Sequence, residues 1–234
     1  MARKRSSRRR QRNARRTAPP QPANAQKALQ EGQYKTAINI YKALLKGEQR
    51  AEWIEALAEA YAGRGWELAA KGMFKEAVTI WRNRAQVCNQ SLVNNHYLLW
   101  LLQAGNIDEA LRLYRNHEQA LGRETQPLRV HLAALALAGK QKILRLLPAE
   151  NPVVRDHAAA LQALQAYCDG DDASLKTALG QIAFRSPYRD LSTLLKALLE
   201  KTSRPKTAKD LLRRIDHHSP FAPLALTVKA SICD

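Results

Sequence analysis

Residues Lys71 to Trp81 read KGMFKEAVTIW, and the spacing inside this stretch recurs along the chain. Gly72 is followed five residues on by Ala77 and nine on by Trp81. Gly32 stands in the same relation to Ala37 and Tyr41, and Gly105 to Ala110 and Tyr114. Looser copies come after: Gly139 ahead of Leu144 and Pro148, Gly170 ahead of Leu175 and Leu179, and Ser203 in the glycine's place ahead of Ala208 and Leu212. The intervals between these markers are 40, 33, 34, 31 and 33 residues. A period of about 34 residues is the mark of a helical-repeat array.

The spacing has a physical reading. Glycine admits a backbone conformation that other residues resist, so it ends one helix, and the turn residues beside it (Gln33, Asn106, Asp171) lead into the next. In that second helix a small residue and a bulky one four positions later share a face, the first permitting close approach and the second filling the space above it. Each unit is therefore a helical hairpin with one apolar side. A hairpin of this size cannot bury that side alone, so neighbouring copies must stack on a shared core.

Gly105, Ala110 and Tyr114 within LLQAGNIDEALRLYRNHEQAL, and Gly32, Ala37 and Tyr41, resemble the tetratricopeptide repeat over about residues 24 to 215, most closely up to about 121. The second unit carries about six extra residues, and the first helices lack that family's Trp, Gly and Tyr pattern. The resemblance implies an all-α fold: a right-handed α-solenoid of five to six hairpins, spanning 23–234, with clear repeats over 23–121 and degenerate ones over 122–234. It also implies a concave surface lined by first helices, where a partner's peptide is held. Asn94, Asn95, His96 and Arg129 are the expected contact residues there. The family's basic clamp for terminal carboxylates is matched incompletely, by Ala62, Asn95 and Arg129, and binding of a chaperone tail is not expected.

Charge separates the amino terminus from the rest. The net charge is +17, and residues 1 to 30 supply ten of these charges through Arg3, Lys4, Arg5, Arg8, Arg9, Arg10, Arg12, Arg15, Arg16 and Lys27, with no acid before Glu31. Residues 1–22 have almost nothing to bury, so they are predicted to be disordered. The arginine forks suit phosphate oxygens, which makes nonspecific contact of residues 1–16 with nucleic acid or the ribosome the expected use, against the plainer reading of a solvated tail. The arginines form no amphipathic face, which argues against a transit peptide. A second basic stretch runs from Lys201 to Arg214 and reads as a solvated helix face.

Taken in order, the helices are predicted over 23–30, 34–46, 49–70, 74–87, 92–103, 107–121, 128–138, 140–147, 153–167, 172–184, 188–200 and 221–232. Gly63 and Gly65 interrupt the third, at about 1 kcal/mol each relative to alanine, so a kink or break is expected there. Trp53 and Trp66 fit the core at helical spacing; should the helix run on, it overhangs and adds Trp66 to the contact set. Only Lys229 is charged in FAPLALTVKASI at the carboxyl end, which leaves three uses for that segment: docking on an earlier helix, a homotypic contact, or continuation into further sequence.

Catalytic and cofactor signatures are missing. Gly63-Arg64-Gly65 lacks the later Gly-Lys-Ser/Thr of a phosphate loop, and no His-Glu-x-x-His or Cys-x-x-Cys occurs. Asp169, Asp171 and Asp172 around Gly170 read as a helix start, since a calcium loop needs a later glutamate. Adjacent His217 and His218 belong to a loop before Pro220. Cys88, Cys168 and Cys233 lie 80 and 65 residues apart and are expected to be buried or partly buried thiols in a reducing compartment. No window approaches the roughly 18 apolar residues of a membrane span, and the charged amino terminus lacks the apolar stretch expected of a secretory signal. The expectation is a cytoplasmic, non-enzymatic protein-interaction scaffold without cofactor or metal, its groove holding a protein segment and its tail attached to an anionic partner. The alternatives are a nucleic-acid-binding helical-repeat protein and the repeat portion of a larger multidomain enzyme or regulator.

Overall fold

The computed structural model describes residues 20–232, the side chains of residues 123 and 124 apart, and among these residues it is all-α, with no strand. The basic residues Arg3 to Arg16 and Cys233 lie outside the described residues. The chain divides into two compact units, Met1–Leu92 and Val93–Asp234.

In the first unit, α1 (Pro22–Gln30), α2 (Tyr34–Leu44), α3 (Ala51–Ala70) and α4 (Phe74–Cys88) pack in sequence order, each on the next. Proline opens α1, where its missing N–H costs nothing. Ala25, Ala28, Ala37, Ile38, Tyr41, Leu44, Trp53, Leu57, Ala60 and Tyr61 form one core. α3 runs unbroken for 20 residues through both glycines, so the expected interruption is absent. Packing supplies the reason at Gly63. A Cβ there would fall 2.6 Å from Cδ1 of Tyr34, so the bare backbone is the seat for that ring.

One turn recurs. Gly32, Gly72, Gly105, Gly139 and Gly170 all have positive φ, between 70° and 84°. Each donates its N–H to the carbonyl three residues back, and the next residue donates to the carbonyl five back, as in Gly105 to Leu102 (3.0 Å) and Asn106 to Leu101 (2.8 Å). This paired bond closes the helix end and satisfies carbonyls that would otherwise be bare. Asn89, at φ 49°, ends α4 in the same way. Ser203 does not: asparagine and glycine tolerate positive φ, and the 200–204 turn instead closes with Arg204 N–H on Glu200 O at 2.8 Å.

The second unit holds α5 (Asn95–Gln103), α6 (Ile107–Leu121), a 3-10 turn (Gly122–Thr125), α7 (Gln126–Leu137), α8 (Lys142–Leu146), α9 (Pro152–Arg155), α10 (His157–Cys168), α11 (Asp172–Gln181), α12 (Arg189–Glu200), α13 (Pro205–Leu212) and α14 (Ala222–Ala230). Ala37, Ala77, Ala110, Leu175 and Ala208 are all buried five residues after their markers, and Tyr41, Trp81, Tyr114, Leu179 and Leu212 nine after. The unit after Gly139 departs by one residue. Ile143 and Leu147 are buried in place of Leu144 and Pro148, because α8 starts late and Pro148 stops it.

The helix expected over 153–167 is broken at Asp156. The hydroxyl of fully buried Tyr188 donates to Val153 O at 2.8 Å, taking the carbonyl that a continuous helix would offer to His157 N–H. At the carboxyl end, Ala225 and Ile232 of the last segment pack with Leu194, Ala197, Ala208, Leu212 and Ile215. Docking on earlier helices, one of the uses expected for this segment, is observed, and Leu224 and Leu226 stay 56% and 66% exposed.

Candidate functional site

The side chains expected to meet a partner are placed by the starts and outer faces of first helices. Asn94 is the N-cap of α5, its Oδ1 accepting from Tyr97 N–H at 2.9 Å, so its amide completes the helix end. Asn95 is half-buried, with an Oδ1 that lies out of solvent and takes no hydrogen bond among the described residues. His96 is exposed on the next position.

Arg129, on α7, is held by its neighbours. Its Nε donates to Tyr114 Oη at 3.0 Å and its Nη2 to Glu118 Oε1 at 3.2 Å. The Tyr114 hydroxyl donates to Glu118 at 2.7 Å, and Asn151 Nδ2 donates to Tyr114 Oη at 3.3 Å. Asn151, itself buried, turns its Oδ1 to the Val153 N–H and caps α9. Burial holds the Tyr114 hydroxyl above the ordinary phenol range. Burial works against the Arg129 charge, but the bonds to Tyr114 and Glu118 outweigh it and raise the guanidinium pKa. The node ties α6, α7 and the start of α9 together. Tyr114 and Glu118 stand four apart on one helix, a pairing visible in the sequence; Asn151 gives no such signal.

A second node lies under α12. Asp156 takes a two-point contact from Arg155, Nε at 2.7 Å and Nη2 at 3.2 Å. Burial pushes its carboxyl up, yet the bonds from Arg155 and buried Ser186 prevail and hold it below the usual range. The His157 ring meets Tyr188 edge-on at 6.2 Å, its Nε2 is buried without a hydrogen-bond partner among the described residues, and burial lowers its pKa. Burial likewise pushes the Tyr188 hydroxyl up. His157 Nε2 apart, the polar groups of this node are spent on one another and on backbone.

In the first unit, Trp66 is 44% exposed while Trp53 is buried, so only Trp53 joins the core. The steps 55, 59, 62, 66 on one continuous helix put Glu55, Glu59, Ala62 and Trp66 on a single face, and both glutamates are exposed. Arg64 and Lys71 meet Glu67 at 2.5 Å each on the flank and hold its carboxyl below the usual range.

Two of the clefts among the described residues are open ones. One, about 240 Å³, separates α11 from α12 and is lined by Lys176, Leu179, Gly180, Lys196, Leu199 and Glu200, the last bonded to Arg204 at 2.6 and 2.7 Å. The other, about 430 Å³, follows Arg115 to Ala120 along α6. The Lys201–Arg214 stretch is partly neutralised, since Arg213 also pairs with Asp210 at 2.9 Å.

Asp171 caps α11 by accepting from Ala173 and Ser174 N–H, at 3.1 and 3.0 Å. His217 and His218 lie exposed in the loop before α14. Cys88 is half-buried, but Cys168 is exposed, against expectation, because it falls on the outer side of the last turn of α10. Among the described residues no three His, Cys, Asp or Glu side chains gather as a metal site, and no helix is long and apolar enough to cross a membrane. No protein-family model matches the chain, and neither a curated protein nor a solved structure matches it.

Proposed function

We propose that this chain is a non-enzymatic interaction scaffold, a tetratricopeptide-like right-handed α-solenoid whose first helices hold a segment of a protein partner in the cytoplasm. The observation that carries this reading is the solvent face of α3, where Trp66 is 44% exposed in line with Glu55 and Glu59. An exposed indole in line with two carboxylates, the nearer about 10 Å along the helix, suits a segment with spaced basic residues, one meeting the indole face and another a carboxylate. In the second unit, taken by itself, His96 is the exposed contact candidate, while Asn94, Asn95 and Arg129 contribute by shaping α5 and α7. The basic residues Arg3 to Arg16 add salt-sensitive attachment to nucleic acid, the ribosome or an acidic protein.

The test is a pull-down from cell extract with the full chain, the Trp66→Ala chain and a chain lacking residues 1–20, each at low and high salt. A partner held by the helices survives high salt with the full and shortened chains and is lost with Trp66→Ala. Recovery of the same partners by Trp66→Ala, or turnover of a substrate by the full chain, defeats the reading.

A further inference from the structure

Counted from the turn residue, α11 breaks the register of the other second helices at two positions. Six residues on, α2, α4 and α6 carry Ile38, Val78 and Leu111, all buried, whereas α11 carries Lys176, which is exposed. Ten residues on, α2, α4, α6 and α13 carry Lys42, Arg82, Arg115 and Arg213, whereas α11 carries Gly180. A charge stands where the others bury an apolar side chain, and bare backbone where they extend a long one. Both positions line the cleft of about 240 Å³ between α11 and α12, together with Leu179, Lys196, Leu199 and Glu200.

Folding gains from neither change. Gly180 has no positive φ to call for a glycine, and a Cβ there would meet nothing within 4 Å, so no neighbouring side chain needs the space. Alanine would fit and is the better helix former. What a glycine does provide at such a place is close approach of another molecule to the backbone. Lys176 likewise gives up the apolar burial that its position supplies in the other helices.

The cleft is apolar at its base and positive at its edge. Leu179 is buried and Leu199 half-buried, while Lys176 and Lys196 are exposed. Glu200, the carboxylate in the lining, is taken by Arg204 through two bonds at 2.6 and 2.7 Å. Among the described residues no acid pairs with Lys176 or Lys196, so both charges are left uncompensated. A nucleic-acid backbone brings charge but nothing apolar for the leucines, and two cations release few counterions. A small molecule would leave most of its surface in water in so open a site. A protein segment that sets an apolar side chain among carboxylates answers both features.

We propose that the cleft between α11 and α12 is a docking site for an acidic segment of a partner protein. An apolar side chain enters beside Gly180 against Leu179 and Leu199, and Asp or Glu carboxylates near it in sequence pair with Lys176 and Lys196. This goes beyond the scaffold reading and does not rest on it, since the Trp66 face belongs to the first unit and suits a basic segment.

The experiment measures, by anisotropy at about 0.15 M salt, binding of the full chain to a fluorescein-labelled peptide with leucines set among glutamates, and to its counterpart with serine for each leucine. Charge alone, that of the basic residues Arg3 to Arg16 included, does not tell these peptides apart, so the ratio of their affinities reports the cleft. The parent prefers the leucine peptide about tenfold, and Gly180→Gln, which fills the cleft, brings the ratio to about 1. Lys176→Gln/Lys196→Gln weakens the leucine peptide about fivefold, while the control Lys35→Gln/Lys140→Gln, two exposed lysines outside the cleft, leaves it within about twofold. Matched melting curves for all four chains show that the losses are of contact. A ratio near 1 in the parent, a ratio unchanged by Gly180→Gln, an equal loss in the control, or variants that lose a mixed-sequence RNA and keep the peptide overturns the proposal.

Discussion

The ring of Tyr34, at the start of α2, occupies the space that a side chain on Gly63 of α3 would need, with Cδ1 2.6 Å from where a Cβ would stand. The glycine thus exchanges helix propensity for contact between two helices. Alanine at 63 adds about 1 kcal/mol of propensity but forces the ring aside, which costs about 1–3 kcal/mol. Gly63→Ala is expected to lower stability in urea, and Tyr34→Ala/Gly63→Ala to lose less than the two single changes together. Additive losses would mean the ring and the glycine do not interact.

Gly180 predicts the opposite sign. It lies in α11 without positive φ, and a Cβ there meets nothing within 4 Å. Gly180→Ala should raise stability by up to about 1 kcal/mol, read from the urea midpoint. A loss of stability would show that the cleft between α11 and α12 closes on that position.

Arg129 separates structure from recognition. Its bonds to Tyr114 and Glu118 lie in the second unit's interior edge, so Arg129→Gln is expected to cost about 1–3 kcal/mol in thermal or chemical unfolding. Should the variant melt like the parent while losing a partner, the side chain would belong to a binding surface.

Acid sensitivity follows from His157. Its pKa is lowered by burial, so the folded chain binds fewer protons there than the unfolded chain. That stability is present above the unfolded value near 6.5 and is lost as pH falls below it. Asp156, also depressed, acts in a separate window below about 4. Unfolding free energy measured from pH 7.5 to 5 should fall for the parent and stay flatter for His157→Gln. Parallel profiles for the two chains would assign the acid sensitivity to another group.

The hairpin turns were legible because their cause is local. A glycine at 32, 72, 105, 139 or 170 can take positive φ and close the helix behind it wherever it stands in the fold, and the alanine five residues later needs only helical geometry to face inward. Serine at 203 keeps the interval but not the conformation, so the spacing extended past the physics that supports it.

By itself the sequence determined the all-helical class, the positions of the glycine turns and the inward face of most second helices, because each depends on residues within one or two helical turns. Tertiary structure alone decided three things. Tyr34 let α3 run through Gly63 and carry Trp66 out to solvent; Tyr188 took the Val153 carbonyl and split the 153–167 helix; and Glu118 with Asn151 turned Arg129 inward. Each rests on a partner 11 to 35 residues away on another element, and periodicity within a helix carries no record of what a neighbouring helix will present to it.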